Sequence, residues 1–299
     1  MNRTVLTAAG LATIAVICWS GNWVLGRAVR ADVPPAGLTF WRAFLASLIL
    51  LPFALRSGRE QWEAYKKGWK VVWTFGLLVT AAFQLMVYYG LHFTEATNAL
   101  LMNATAPLYV IIIARLILGD TVNARQMVGI SISFVGAAVL VSRGDLASLL
   151  HLRFNIGDLW IVLALVVWGL YSTLLRFKPK GLSPVNLIFG MSVAGTIMLL
   201  PVYVAETLAG HPVHLTAATV GSVAYTAIFA SIVALMSFNA AVERIGPSKA
   251  IYFLHLMPVF GALMSFVFLG ERLYLYHLIG FPIALGGVLM ATMVPDTKR

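Results

Sequence analysis

Ten long runs of apolar residues, separated by short polar segments, cover most of the chain. Each run is close to the roughly 20 residues that an α-helix needs to cross the hydrocarbon core of a bilayer. The runs fall near residues 5–27, 36–55, 71–91, 97–118, 124–142, 157–176, 185–205, 216–241, 247–269 and 273–294. Strand-sized segments of alternating polarity are absent, so the pattern predicts an all-α membrane protein with ten transmembrane helices.

The composition agrees with a membrane protein. Hydrophobic residues make up 60% of the chain and charged residues only 11%, whereas soluble globular domains carry about 25% charged residues. The first run is too long for a removable signal peptide and lacks a small-residue cleavage site, so we interpret it as a membrane span. The single cysteine, Cys18, lies within this run and excludes an intrachain disulfide.

The chain also repeats itself. At an offset of 151 positions Pro107 falls on Pro258, and the Gly-acid pair that follows each proline by twelve residues falls into the same register. Further upstream the offset is 149 and carries Trp19 onto Trp168. Internal repeats of this kind are how many transporters build two alternating gates around one site. The repetition therefore points to a membrane transporter.

The duplication predicts a first five-helix repeat at 1–146, a linker at 147–156 and a second repeat at 157–299. Because five is an odd number, the second repeat must enter the membrane inverted relative to the first. Of 21 Lys and Arg residues, 14 fall on one predicted side and 5 on the other. The richer side is cytoplasmic by the positive-inside rule, so both termini are expected in the cytoplasm. The net charge of +10 is thus a topology signal, and we expect no binding of nucleic acid.

Six segments carry distinctive motifs. They are CWSGNWVLGRAV, FWRAFLASLILLP, NATAPLYVIIIARLILGD, LHLMPVFGALMSFVFLGE, GISISFVGAAVL and GFPIALGGVLM. Together they resemble the drug/metabolite transporter superfamily, in particular its ten-helix EamA-type members, over nearly the whole chain. Two positions depart from that family's usual residues: Ser20 stands where Gly is usual, and Asp120 where Glu is usual. Bacterial aromatic amino-acid exporters are the most similar members, and the resemblance implies a small-molecule substrate and the direction of export.

Two ionisable residues within spans have open roles. Arg42 could bind a substrate carboxylate through its fork of donors, or its stem could snorkel to the outer interface. The resemblance favours a structural role, because the family carries an arginine here across many substrates. His255 lies too deep to snorkel. It could contact a substrate carboxylate or carry a proton, or it could be a neutral histidine hydrogen-bonded to a helix carbonyl.

Polar and aromatic residues cluster around the two symmetry-related prolines. Proline removes a backbone hydrogen bond and kinks a helix, which a membrane protein tolerates where packing or a cavity satisfies the freed groups. We therefore predict hinges at Pro107 and Pro258 with a mid-membrane site between them. The predicted substrate-binding residues are Trp19, Asn22, Gln84, Tyr88, Asn98, Met102, Asn103, Trp168, Tyr171, Tyr252 and His255.

Some chemistry is missing from the sequence. Proton-coupled carriers usually hold a carboxylate within a span, and here the acidic residues near spans sit at helix ends. We therefore expect facilitated transport, unless His255 carries the proton. No phosphate-binding glycine loop, HExxH, GxSxG or cysteine cluster occurs, so we expect no cofactor, no metal site and no enzymatic activity.

These observations predict a transporter in the bacterial inner membrane that exports small amphipathic metabolites, chiefly aromatic and other apolar amino acids, by alternating access. A monomer surrounded by lipid is plausible, and the sequence leaves the oligomeric state open. One alternative keeps the fold and changes the cargo to nucleosides or drugs. A second is an intramembrane transferase that uses His255 as a base. A third is a non-transporting receptor or scaffold, which would lack a hydrated central cavity.

Overall fold

The computed structural model describes residues 3–29, 33–94, 99, 102–145, 155–269 and 274–292, and these residues are almost entirely helical. The helices are α1 (Arg3–Val29), α2 (Pro35–Leu55), α3 (Arg59–Phe93), α4 (Ala106–Leu118), α5 (Ala124–Val141), α6 (Ile156–Phe177), α7 (Pro184–Leu208), α8 (Ala217–Ile245), α9 (247–269) and α10 (Leu275–Thr292). The helix α9 has three adjoining pieces, which are Pro247–Ala250, the 3₁₀ helix Ile251–Leu256 and Met257–Leu269. The predicted all-α class is confirmed.

Eight of these helices are long and apolar enough to cross a membrane, namely α1, α2, α3, α5, α6, α7, α8 and α10. The helix α4 is apolar but only 13 residues long, and α9 is interrupted by its 3₁₀ piece. Large apolar side chains point outwards: Leu116 is 79% exposed and Leu278 is 68% exposed. An apolar surface of this kind is unfavourable in water, so lipid would cover it. Ten crossings, the inversion and the cytoplasmic termini stay predictions.

The helix α3 begins at Arg59, twelve residues before the apolar run that predicted it. Its first turns are polar, so a hydropathy pattern alone does not reveal them. Tertiary contacts hold this end in place: the Gln61 amide donates to the Gly181 carbonyl at 2.7 Å and accepts from the Ser183 N–H at 2.7 Å. The polar stretch between the second and third apolar runs is therefore mostly helix, and it packs against the start of α7.

Two π-helical segments interrupt α3 and α8 at equivalent places. They are Gly76–Ala82 in α3 and Thr226–Val233 in α8, and each is followed directly by α-helix, at Phe83 and Ala234. The helices resume 151 positions apart, which is the downstream sequence offset. A π-helical turn is rare and is found mostly at functional sites. Each segment changes which side chains of the following α-helix face the centre of the bundle.

The helices pack in pairs that the two sequence offsets relate to each other. The helix α2 packs along α7, and α5 packs along α10. Around the centre, α1 packs on α8 as α3 packs on α6, and α1 packs on α9 as α4 packs on α6. Each of these central pairs thus has a counterpart in which the two halves exchange roles. The centre of the bundle is formed by α1, α3, α4, α6, α8 and α9.

Glycine allows the close approach of α5 and α10. A Cβ atom added to Gly136 would lie 2.3 Å from the Ala284 backbone nitrogen, and one added to Gly287 would lie 2.3 Å from the Ser133 nitrogen. Both distances are too short for any side chain. Small residues are common where membrane helices pack backbone to backbone. These two glycines, 151 positions apart, therefore set the spacing of this helix pair.

Candidate functional site

Two tryptophans in equivalent positions touch at the centre of the bundle. The rings of Trp19 on α1 and Trp168 on α6 have centroids 5.1 Å apart and are nearly perpendicular. Phe238 lies 5.3 Å from both rings, and Phe83 lies 5.1 Å from the Trp168 ring. Edge-to-face contacts of this kind are favourable for aromatic side chains. The result is an aromatic cluster shared by the two halves of the chain.

The two indole N–H groups differ. The Trp19 N–H donates to the Ala230 carbonyl at 3.1 Å. The Trp168 Nε1 is buried and has no hydrogen-bond partner among the described residues. A buried donor without a partner costs about 1–3 kcal/mol. An acceptor on a ligand would relieve that cost.

A small cavity lies against the tryptophan pair. Its volume is about 30 Å³, and its walls are Trp19, Asn22, Phe83, Gln84, Val87, Asn103, Leu165, Trp168, Leu254 and Met257. Such a space holds a water molecule or little more, whereas pockets for small ligands measure about 300–1,000 Å³. The described side chains therefore leave little room at the predicted central site. Five predicted substrate-binding residues meet here: Trp19, Asn22, Gln84, Asn103 and Trp168.

Tyrosine–asparagine hydrogen bonds flank the tryptophan pair on two sides. The Tyr171 hydroxyl on α6 donates to Asn239 Oδ1 on α8 at 2.8 Å. The Tyr88 hydroxyl on α3 donates to Asn22 Oδ1 on α1 at 3.3 Å. Tyr171 follows Asn22 by 149 positions and Asn239 follows Tyr88 by 151, which are the two sequence offsets. The same bond thus occurs twice, with the tyrosine and the asparagine exchanged between the halves.

The two bonds lie at different depths. The helix α6 runs from Asp158, which accepts a hydrogen bond from Thr94 at the end of α3, and Tyr171 lies one turn beyond Trp168. The helix α3 runs the opposite way, and Tyr88 lies five residues beyond Phe83, which contacts the Trp168 ring. At 1.5 Å per residue these steps are about 4.5 and 7.5 Å in opposite directions. One bond therefore lies on each side of the tryptophan pair.

A wide vestibule opens at the end of the bundle nearer Tyr171. Its volume is about 580 Å³, and residues from the ends of α4, α6 and α8 and from the start of α9 line it. Lys178 Nζ lies 2.5 Å from Glu243 Oε1, and an Arg176 nitrogen lies 3.8 Å from Asp120 Oδ1. Partly exposed ion pairs of this kind contribute little to stability. Their place at the rim suits a contact that forms and breaks easily.

Arg42 is buried beside the cavity, with 3% of its surface exposed. Its Nε and Nη2 donate to Ser231 Oγ at 3.0 and 2.8 Å. Its Nη1 donates to Gln84 Oε1 at 2.7 Å and to the Tyr88 hydroxyl at 3.2 Å. The guanidinium therefore does not snorkel. The apolar pattern could not show this inward orientation, because it depends on partners from α3 and α8.

His255 lies away from the cavity walls and is fully buried. Its Nε2 lies 2.7 Å from the Ala104 carbonyl oxygen, to which it donates, and its Nδ1 contacts the Ser133 hydroxyl. Both ring nitrogens thus have partners in the protein. Of the sequence alternatives, the structure shows the histidine bonded to a helix carbonyl. His255 and Ala104 are 151 positions apart, so equivalent positions of the two halves meet here.

The remaining predicted residues are scattered. Tyr171 is fully buried against Trp168, Tyr252 is fully buried and its hydroxyl has no partner among the described residues, and Met102 is half-buried in the core. None of these three forms the cavity wall. Asn98 lies outside the described residues. The sequence reasoning missed the apolar walls at Phe83 and Leu165, because one apolar residue in a span looks like any other.

The prolines correct one structural expectation. Pro107 lies in the first turn of α4, and Pro258 is the second residue of Met257–Leu269, after the 3₁₀ piece. Neither interrupts the middle of an α-helix. In a first turn the missing N–H would have no partner in any case, so proline is well tolerated. Each proline begins a new α-helical piece, and the hinge role stays a prediction.

Comparison with known proteins agrees with this architecture. The sequence profile of the EamA-like transporter family matches residues 6–142 and again residues 155–293. An uncharacterized transporter of Bacillus subtilis, YyaM, is 27% identical over 263 residues, covering 87% of this chain and 85% of that protein. A probable terminal-alkyne amino-acid exporter of Streptantibioticus cattleyicolor is 27% identical over 280 residues, covering 93% and 90%.

The fold also has a counterpart among solved structures. One crystal structure superposes with a TM-score of 0.76 at 17% sequence identity, covering 96% of both chains. That likeness concerns the fold alone. The family profile covers almost the whole chain in two successive matches, and the relatives are transporters. The chain therefore belongs to the EamA-like transporter family, within the drug/metabolite transporter superfamily.

Proposed function

We propose that the protein exports small amphipathic metabolites, chiefly amino acids with aromatic or other apolar side chains, across the bacterial inner membrane. The cargo binds at the tryptophan pair, and the cavity opens to one side of the membrane at a time. Two inverted repeats, 1–146 and 157–299, supply the two gates. Transport follows the gradient of the cargo itself.

The observation that carries this proposal is the pair of tyrosine–asparagine hydrogen bonds. The Tyr88–Asn22 bond joins α3 to α1, and the Tyr171–Asn239 bond joins α6 to α8. Since α1 packs on α8 and α3 packs on α6, each bond links these two packed pairs. A single hydrogen bond contributes about 1 kcal/mol net, so either bond breaks at low cost. Breaking the Tyr171–Asn239 bond would open a path to the vestibule, and breaking the Tyr88–Asn22 bond would open the opposite side. Two equivalent gates, one on each side of the tryptophan pair, suit a carrier that alternates.

Unpaired polar groups support an opening towards the vestibule. Among the described residues, the buried side-chain polar atoms without a partner belong to Trp168, Ser172, Thr173, Asn239, Ser248 and Tyr252. All of them lie on α6, α8 and α9, and Ser248 also lines the vestibule. Each such atom carries a desolvation cost that water or cargo would relieve. We propose that they line the path when this side opens.

The cavity walls suit an amphipathic cargo. The aromatic rings of Trp19, Phe83 and Trp168 would contact an apolar side chain. Among the described residues, Asn103 donates only to the Met257 thioether at 3.4 Å, a weak acceptor, so its amide is available to a polar group of the cargo. The Trp168 N–H offers a second donor. Among relatives, the one named a probable terminal-alkyne amino-acid exporter favours an amino acid as the cargo.

Facilitated transport agrees with the contacts of His255. Both nitrogens of its ring are held by Ala104 and Ser133, and the ring lies outside the cavity walls. A proton carrier needs access to the cargo or to water. The same contacts argue against the transferase alternative, because a general base must reach its substrate.

The test is transport by the purified protein in liposomes, using labelled amino acids and nucleosides with and without a pH gradient. We expect saturable flux of L-phenylalanine or a related amino acid that is indifferent to the gradient. Flux that requires the gradient would overturn facilitated transport. Flux of nucleosides alone would overturn the proposed cargo and favour the nucleoside alternative.

A further inference from the structure

Arg42 brings a positive charge into the centre of the bundle without a negative partner. Its acceptors among the described residues, Ser231, Gln84 and Tyr88, are all neutral. Among the described residues no carboxylate forms an ion pair with it. Glu206, on the helix packed against α2, instead accepts from the backbone N–H groups of Ala36 and Gly37. A buried charge is costly unless it is paired, so this one invites a functional explanation.

The guanidinium is connected to the cavity by two routes. Gln84, which accepts from Arg42 at 2.7 Å, is itself a cavity wall. Tyr88, which accepts from Arg42 at 3.2 Å, donates in turn to Asn22, a second wall residue. The charge therefore lies one side chain behind the cavity surface. Charges act strongly over such distances where water is excluded.

We infer that Arg42 makes the cavity selective for substrates that carry a carboxylate over neutral or cationic compounds of the same shape. This inference rests on the proposed function and specifies its cargo. When the cavity opens, a carboxylate takes the place of Gln84 Oε1 as the acceptor for Nη1. The exchange replaces a neutral acceptor with a charged one, so the buried guanidinium gains the counter-charge that Gln84 cannot supply. Organic amines would meet the unpaired guanidinium and be repelled.

A structural role for Arg42 is the alternative, since its bonds join α2, α3 and α8. The two explanations differ in what they predict for the cargo. A structural arginine affects stability and the rate of transport for every compound alike. A selective arginine changes the ratio between a carboxylate and its neutral analogue. The ratio is therefore the quantity to measure.

The experiment measures inhibition of labelled L-phenylalanine exchange in liposomes that contain the wild-type full chain. The competitors are 3-phenylpropanoate, its amide 3-phenylpropanamide and the cation phenethylamine, all at one pH on both sides. We expect the carboxylate to inhibit about tenfold better than the amide, and the amine to inhibit least. Equal inhibition by the carboxylate and the amide would overturn the inference without touching the proposed function.

The variant Arg42→Gln keeps a hydrogen-bonding side chain and removes the charge. It should reduce the ratio of carboxylate to amide inhibition to about one, and Arg42→Lys should retain part of it. Arg115→Gln is the matched control, because Arg115 is an exposed arginine on α4, and it should leave the ratio unchanged. A wild-type ratio in folded Arg42→Gln would overturn the inference.

A second variant covers the case in which Arg42→Gln does not fold. Ser231→Ala removes a neutral acceptor and keeps the charge, so the preference for the carboxylate should persist or increase. Loss of that preference in Ser231→Ala would contradict the inference. If the wild-type chain carries no amino acid, the proposed function fails. The same acid and amide pair then tests Arg42 by tryptophan fluorescence, with equal binding as the contrary result.

Discussion

Trp19 and Trp168 occupy equivalent places, yet only the Trp19 indole N–H has an acceptor, the Ala230 carbonyl. Both rings pack in the same aromatic cluster, where Trp168 also contacts Phe83 and Tyr171. Their polar groups differ by one hydrogen bond. The Trp19 N–H therefore contributes to the stability of the fold, whereas the Trp168 N–H is available to the proposed cargo.

Phenylalanine at each position isolates that bond. Trp19→Phe loses a satisfied hydrogen bond, so it should destabilise the protein by about 1 kcal/mol more than Trp168→Phe does. The loss should appear as a lower thermal midpoint in detergent. Trp168→Phe should instead raise the KM for exchange by about 2–10-fold, because a donor to the cargo is lost. Thermal unfolding and exchange kinetics on the two variants provide the measurement. Equal effects of both variants on stability and KM would mean that Trp168 only packs.

At the scale of the elements, the close packing of α5 on α10 depends on glycines, which have no side chain. Gly136 lies so close to Ala284 that an added Cβ atom would be 2.3 Å from its backbone nitrogen. Backbone cannot move away as a flexible side chain can, so the helices would have to separate. Gly286 on α10 provides the contrast, because an added Cβ atom there meets nothing within 4 Å.

The substitution Gly136→Ala should therefore destabilise the protein by about 1–3 kcal/mol through overpacking. Gly286→Ala should be neutral or slightly stabilising, since alanine is the better helix former by about 1 kcal/mol. Thermal unfolding of both variants in the same detergent compares them directly. A Gly136→Ala protein as stable as Gly286→Ala would show that α5 and α10 are not held at this spacing.

At the scale of the whole molecule, the sequence predicted the helical class and the family because apolar runs and the glycine and proline registers are visible without coordinates. It also predicted the central tryptophans, since the offset that aligns Trp19 with Trp168 brought both to mid-span. The two tyrosine–asparagine bonds could be predicted only in part. Asn22, Tyr88 and Tyr171 were among the predicted residues, but Asn239 was not, because nothing local to α8 marks it as the partner of Tyr171.

The roles of His255 and Arg42 could not be predicted, because both depend on residues far away in the chain. The Ala104 carbonyl and the Ser133 hydroxyl, from two other parts of the bundle, decide that His255 is held within the structure. Partners on α3 and α8 decide that Arg42 points inwards. The π-helical segments change which face of the following α-helix points to the centre of the bundle. They could not be predicted either, because the sequence pattern was read with the period of an α-helix.

The two tyrosine–asparagine bonds should control access to the cavity from opposite sides of the membrane. Tyr171→Phe removes the bond on the vestibule side. Tyr88→Phe removes the bond on the opposite side, together with the acceptor that its hydroxyl offers to Arg42. A loss of about 1 kcal/mol shifts a two-state equilibrium about fivefold. The two variants should therefore favour opposite open states, because they weaken opposite gates.

The most direct measurement is labelling of a cysteine at Asn103, a cavity wall, in a chain whose only native cysteine, Cys18, is replaced by alanine. A membrane-impermeant maleimide is added to one face at a time. We predict faster labelling from the vestibule face in Tyr171→Phe and from the opposite face in Tyr88→Phe, with protection by L-phenylalanine in both. Faster labelling from the same face in both variants, or in neither, would contradict alternating closure around the tryptophan pair.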